Sequence, residues 1–207
     1  GCRVVHVNPR RTESARIRGA EHVFIRPGTD LFFLLAFAAE LIRAGGADRE
    51  RGDLFTGGFA RFAEIVSPWS AERAASVTGI PAEVTMGLVA SFMAGPSCLY
   101  ASTGINQSGN PTLAYWLVEA VNAVSGNLDR KGGTLVGRGV IPLPGMNPGG
   151  PRARSRVGGF RTVMECMPCA VFPDEAALPG KGQVRALIVT GGNPALSFPD
   201  SGRMEEA

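Results

Sequence analysis

The stretch that most restricts how this chain can fold is an apolar segment with helical spacing near its amino end. From Thr29 onward Leu31, Leu34, Leu35, Ala38, Leu41 and Ile42 recur at helical intervals, and Phe32, Phe33 and Phe37 fill the other faces. A helix that is apolar nearly all round has to be enclosed by other elements. Its longest unbroken apolar run, Leu31 to Ala39, is far shorter than the roughly 20 residues a bilayer span requires. Gly45-Gly46 is expected to end it, with a charged loop over Ala47 to Gly52.

Two short strands are expected ahead of that helix. Arg3 to Val7 is a β-branched run broken by Asn8-Pro9, and Val23-Phe24-Ile25 is a second, broken by Pro27-Gly28-Thr29-Asp30. Both read as strand ends opening into helix starts. Thr12 or Ser14 is expected to cap a turn after the first, with amide N–H groups pointing outward as they would toward an anion. Arg10 and Arg11 stand beside those amides, and guanidinium forks match phosphate oxygens. Asp30 offers a carboxylate able to accept the paired N–H groups on the Watson–Crick edge of guanine.

Farther along, a short helix is expected within Phe55 to Val66. Ser70 should cap a helix over Ala71 to Val77, Gly79 should close it, and Pro81 should open the next, with Val84, Leu88, Val89, Phe92 and Met93 as its stripe. A strand is expected at Cys98 to Ala101, then a polar loop from Ser102 to Asn110, then a helix opened by Pro111 and ended by Gly126. Between Gly133 and Pro179 the chain is rich in Gly and Pro and has little periodicity. Val184 to Val189 reads as a strand buried on both faces of a parallel sheet. It runs into Thr190-Gly191-Gly192-Asn193-Pro194, and Asp200 or Ser201 should begin a helix. A strand, a glycine turn and a helix in that order form a nucleotide-binding crevice in doubly wound sheets.

Composition removes several alternatives. The 207 residues suffice for one substantial core or two small lobes, and the net charge of +3 does not indicate a nucleic-acid surface. The clusters Arg10, Arg11, Arg16, Arg18 and Arg152, Arg154, Arg156, Arg161 otherwise read as solvated faces. The four cysteines show no disulfide-framework spacing, which points to a reducing, cytoplasmic setting. Cys166-Met167-Pro168-Cys169 is half a tetrahedral metal site, and neither histidine, His6 or His22, lies near it in sequence, so no metal site is expected. The chain enters a strand almost at Gly1 and stops inside a helix at Ala207, so it is expected to be part of a longer polypeptide, with no membrane span in this part.

In order and spacing, these motifs resemble those of the molybdenum or tungsten oxidoreductases that carry a bis(molybdopterin guanine dinucleotide) cofactor, the dimethyl sulfoxide reductase and formate dehydrogenase superfamily. That family shows a strand followed by Asp-Pro-Arg-x-Thr-Glu-x-Ala and later Pro-Gly-Thr-Asp. Here Asn8 replaces the first Asp and the second motif is intact. Gly104 to Gln107 resembles the family's Gly-x-x-Gln turn. Gly126 to Gly133 resembles Gly-Asn-x-x-Arg-Pro-Gly-Gly with Lys131 for proline, and Gly191 to Pro194 resembles its Gly-Gly-Asn-Pro. The Arg-Gly-Gln-Asn-Asn signature of formate dehydrogenases is absent, which argues against an orthodox formate dehydrogenase.

The resemblance implies an α/β fold, a Rossmann-like parallel sheet flanked by helices that makes up the dinucleotide-binding central domains of such an enzyme. It implies a molybdopterin-dinucleotide-binding domain over 1–136, an irregular connection over 137–182 and the truncated start of a second βα lobe over 183–207. Cofactor contacts are implied for Asn8, Pro9, Arg10, Arg11, Thr12, Gly28, Asp30, Gly104, Asn106, Gln107, Gly192, Asn193 and Pro194. Catalytic and metal-ligand residues, with a 4Fe-4S cluster, belong upstream, so the isolated fragment is expected to be inactive. The implied partners are the remaining domains of the polypeptide, an electron-transfer subunit or carrier and a small-molecule substrate. The alternative is a non-catalytic molybdopterin-like scaffold domain of a respiratory-complex subunit.

Overall fold

The apolar segment forms a helix, α1 (Asp30–Arg43), that buries Phe33, Leu34, Leu35, Ala36, Phe37, Ala38, Ala39 and Leu41. The computed structural model describes residues 2–135, 154–162 and 166–207, and the chain divides into two units, Gly1–Val136 and Gly137–Ala207. In the first unit α1 is packed by α3 (Phe59–Val66), α4 (Ala71–Thr78), α5 (Ala82–Met93) and α6 (Pro111–Val124). Each fully buried Leu or Phe contributes about 1.5–3 kcal/mol relative to exposure, so this shell is what holds the unit. Glu40 ties α1 to α4: its carboxylate accepts from the Ala71 N–H at 2.8 Å and from Arg43 at 2.5 Å.

Local capping chemistry sets the helix boundaries. Ser70 Oγ accepts from the Arg73 N–H at 3.1 Å, and Gly79 closes α4 at φ 76°, where a side chain would be strained. Pro81 then opens α5. The expected loop over Ala47 to Gly52 is instead mostly helix, α2 (Arg49–Phe55), because Asp48 caps it through Oδ1 and the Arg51 N–H at 3.0 Å.

Two strands, β1 (Val4–Val7) and β2 (Ala20–Val23), pair in parallel from Val4 against Ala20 to Val7 against Val23. Among the described residues the sheet has these two strands, so the chain is α/β with a small parallel sheet. β2 starts earlier than the Val23–Ile25 run. A 3-10 turn, Ser14–Arg16, stands where a helix start was expected after β1, and neither Thr12 nor Ser14 caps it. Cys98 to Ala101 is not a strand. The main chain of Leu99 is bonded instead by the carboxamide of buried Asn122, whose Oδ1 accepts from Leu99 N at 2.9 Å and whose Nδ2 donates to Leu99 O at 2.8 Å.

In the second unit a turn over 154–161 is closed by Ser155 N to Phe160 O at 2.8 Å. Arg156 reaches from it to Glu175 on α7 (Phe172–Ala177) at 3.1 Å and to Leu178 O at 2.9 Å. Two short helices follow, α8 (Pro194–Ser197) and α9 (Ser201–Glu206), the latter capped by Asp200 as expected. Val184 to Val189 forms no strand among the described residues. Leu187, Ile188 and Val189 are exposed, and no strand among the described residues covers them. Arg152 and much of the expected 137–182 connection lie outside the described residues.

Candidate cofactor-binding site

Parallel pairing brings the carboxyl ends of β1 and β2 side by side, and the Asn8 N–H donates to Val23 O at 3.0 Å. Asn8 to Thr12 follows β1 directly, and Gly28 to Asp30 lies on the connection from β2 into α1. Asn8 is folded into its own turn, with Oδ1 accepting the Arg10 N–H at 2.9 Å. Pro9, Arg10 and Arg11 are exposed, while Thr12 is half-buried and its carbonyl accepts from Ala15 N at 3.1 Å. Arg10 sits 3.5 Å from Glu13. The Glu13 carboxyl is held below the ordinary range by its own backbone N–H first and by Arg10 second. Sequence reasoning missed Glu13 as a counter-ion, though its three-residue spacing from Arg10 was the available signal.

At the second segment, Gly28 has φ 76° and open space where a Cβ would stand. The Thr29 hydroxyl donates to Arg26 O at 2.6 Å and does not cap α1, so the first-turn amides of α1 carry no side-chain cap. Asp30, half-buried in that first turn, has no ion pair or hydrogen-bond partner for its carboxylate among the described residues. Arg26 is directed elsewhere, onto the carbonyls of Ser76 and Val77 at the end of α4.

The Gly104 loop carries a 3-10 turn, Ile105–Gln107, that buries Ile105 and leaves Gly104, Asn106 and Gln107 exposed. Next to it, Ser108 Oγ is buried with no hydrogen-bond partner among the described residues. At the carboxyl end of α6, Val124 O accepts from the N–H of Asp48, the cap of α2, at 2.8 Å. Ile105 of the loop ahead of α6 is buried in the same core as Phe33, Leu34 and Leu117. In the second unit, Gly192 and Asn193 are exposed and Pro194 is half-buried. Asn193 Oδ1 accepts the Ala195 N–H at 3.1 Å as the cap of α8. A hollow of about 400 Å3 lies not at this edge but at the far end of α1, about 20 Å away at 1.5 Å rise per residue.

No family model matches the chain. It is 29% identical over its full length to dimethyl sulfoxide/trimethylamine N-oxide reductase of Cereibacter sphaeroides, spanning 29% of that protein. It is 28% identical over its full length to biotin sulfoxide reductase of the same organism, spanning 30%. Among solved structures, acetylene hydratase from Pelobacter acetylenicus superposes with a TM-score of 0.57 at 23% identity, over 61% of this chain and 18% of the hydratase, which is a likeness of fold. The chain thus spans about three-tenths of the length of the curated relatives it matches. Motifs, fold and relatives agree: this chain is a partial-length relative of the molybdopterin oxidoreductases.

Proposed function

We propose that this chain holds the guanine dinucleotide arms of a bis(molybdopterin guanine dinucleotide) molybdenum cofactor, in a Rossmann-like arrangement within a larger oxidoreductase. The observation that carries the reading is the parallel pairing of β1 and β2, with Asn8 to Thr12 following β1 directly and Gly28 to Asp30 on the connection from β2 into α1. Ligands of open α/β sheets sit beyond such carboxyl ends.

The residues fit an anionic dinucleotide. Exposed Arg10 and Arg11 suit the phosphates, with Glu13 to be displaced from Arg10. The uncapped amino end of α1 favours negative charge, and Gly28 leaves room for close backbone approach. The unpartnered Asp30 carboxylate suits the donor edge of guanine. Gly104, Asn106 and Gln107 are assigned to a pterin arm, with the orphan Ser108 hydroxyl a donor left over for the same loop, and Asn193, in the second unit, is assigned to cofactor contact by its motif alone. When bound, the cofactor supplies two-electron redox chemistry at molybdenum, and these residues bind and orient it. A 4Fe-4S cluster, the metal ligand, a small-molecule substrate and an electron-transfer partner belong to the rest of the polypeptide and its assembly.

The test is metal and nucleotide analysis of the full-length protein. Acid treatment should release molybdenum together with GMP, and Asp30→Ala should lower the GMP retained per protein while leaving the α1 fold intact by circular dichroism. Full-length protein free of both molybdenum and GMP would overturn the proposal in favour of a non-catalytic scaffold.

A further inference from the structure

The hollow at the carboxyl end of α1 has a composition of its own. Its lining includes apolar Phe92, Met93 and Pro96 and polar Asp48, Asn127 and Arg130. At about 400 Å3 it falls in the range of small-molecule sites, which join an apolar lining to a few polar groups.

Most of those polar groups are already committed. Asp48 Oδ1 caps α2 through the Arg51 N–H. Asn127 Oδ1 accepts from Ser97 N at 3.2 Å, and its Nδ2 donates to Ser125 Oγ at 3.0 Å. Arg130 is the exception. Its only hydrogen bond among the described residues is a long one, to Gly126 O at 3.5 Å, and no carboxylate pairs with it there. A half-buried guanidinium with most of its five N–H donors uncommitted has lost part of its hydration without gaining a partner.

The turn that carries Arg130 is held firmly. Arg51 donates to Leu128 O at 2.9 Å and Asp129 O at 2.8 Å, and the Asp129 N–H donates to Thr134 O at 2.6 Å. Gly126, at φ 71°, is packed against the Asp48 side chain with no room for a Cβ. A group held in place before a ligand arrives costs little to order on binding.

We infer that this hollow binds a small monocarboxylate with an apolar body, the carboxylate paired with Arg130 and the body against Phe92, Met93 and Pro96. Among the described residues the hollow offers a single guanidinium and no second cation, and the Asp48 carboxylate on the same lining disfavours a multiply charged phosphate. The site lies at the opposite end of α1 from the proposed dinucleotide edge, so it does not depend on that proposal.

The experiment is calorimetric titration of the full-length protein with benzoate, and with benzamide as the uncharged isostere. Benzoate should bind and benzamide should bind at least about tenfold more weakly, because the charge-assisted pair is missing. Arg130→Gln should weaken benzoate by a similar factor while its thermal melt stays that of wild type, and Arg130→Lys should recover part of the loss. The inference is overturned if benzoate does not bind, if benzamide binds as tightly, or if a folded Arg130→Gln protein binds benzoate unchanged. GMP content is a separate readout, so failure here and failure of the cofactor proposal are distinguishable.

Discussion

Replacing Asn122 tests whether a side chain does here what a neighbouring strand does in a sheet. Its carboxamide closes both main-chain groups of Leu99, at 2.9 and 2.8 Å, from a fully buried position on α6. Asn122→Ala leaves that N–H and C=O without partners. Each costs about 1–3 kcal/mol when buried, and because Leu99 is only half-buried the lower half of that range applies. The expected loss is about 3 kcal/mol, or about 6–12 °C in Tm for a chain of this size. The turn contacts made by the backbone carbonyl of Asn122, to Asn127 N at 2.8 Å and Leu128 N at 3.0 Å, survive the change. The only tryptophans, Trp69 and Trp116, both lie in the first unit, so fluorescence-detected urea unfolding reports on that unit alone. Asn122→Asp is the sharper variant, since it keeps the shape but places an ionisable oxygen against Leu99 O. Burial raises its folded pKa above the unfolded value of about 3.9. It should therefore be least damaging below that pH, where the protonated acid can still donate, and lose stability steadily as pH rises. A loss under about 0.5 kcal/mol for the alanine variant, or a pH-independent loss for the aspartate variant, would refute the assignment.

Ser70→Ala should cost about 1 kcal/mol in chemical denaturation through loss of the α4 cap. The same change should move the Glu72 titration, followed by NMR, back up toward the ordinary value, because the Ser70 hydroxyl is the main cause of its depression. Gly28→Ala meets no atom but imposes a side chain at φ 76°, so a loss of about 1–2 kcal/mol by thermal melting is expected from backbone strain alone. Glu21 is held below the ordinary carboxylate range, first by its hydrogen bonds from Arg3 at 2.6 and 2.7 Å. Its contribution is therefore present above about pH 4.3 and lost as pH falls through the depressed folded value. Glu21→Gln should narrow the gap in Tm between pH 7 and pH 3, read by circular dichroism.

The enclosed helix, the Ser70 cap, the Gly79–Pro81 junction and the Pro111 start were all legible, because periodicity and capping are properties of a few adjacent residues. Asp30 at a helix start was legible for the same reason. Strand partnership was not. Cys98 to Ala101 and Val184 to Val189 have strand composition, yet a strand exists only where another chain segment meets its N–H and C=O groups. Around Leu99 that role fell to Asn122, and around Ile188, 89% exposed, to no described neighbour.

By itself the sequence determined α1, α4, α5 and α6 and the residues that start or stop them, though not α2, since torsional preference and hydrophobic spacing act over one or two turns. Only the tertiary structure decided that the strands ahead of Asn8 and Asp30 pair in parallel and that Arg130 opens onto a separate hollow. It also decided that the carboxamide of Asn122 stands in for a strand. Those outcomes depend on residues that pack together across long stretches of chain, where burial and hydrogen-bond satisfaction select among pairings that local preference leaves equal.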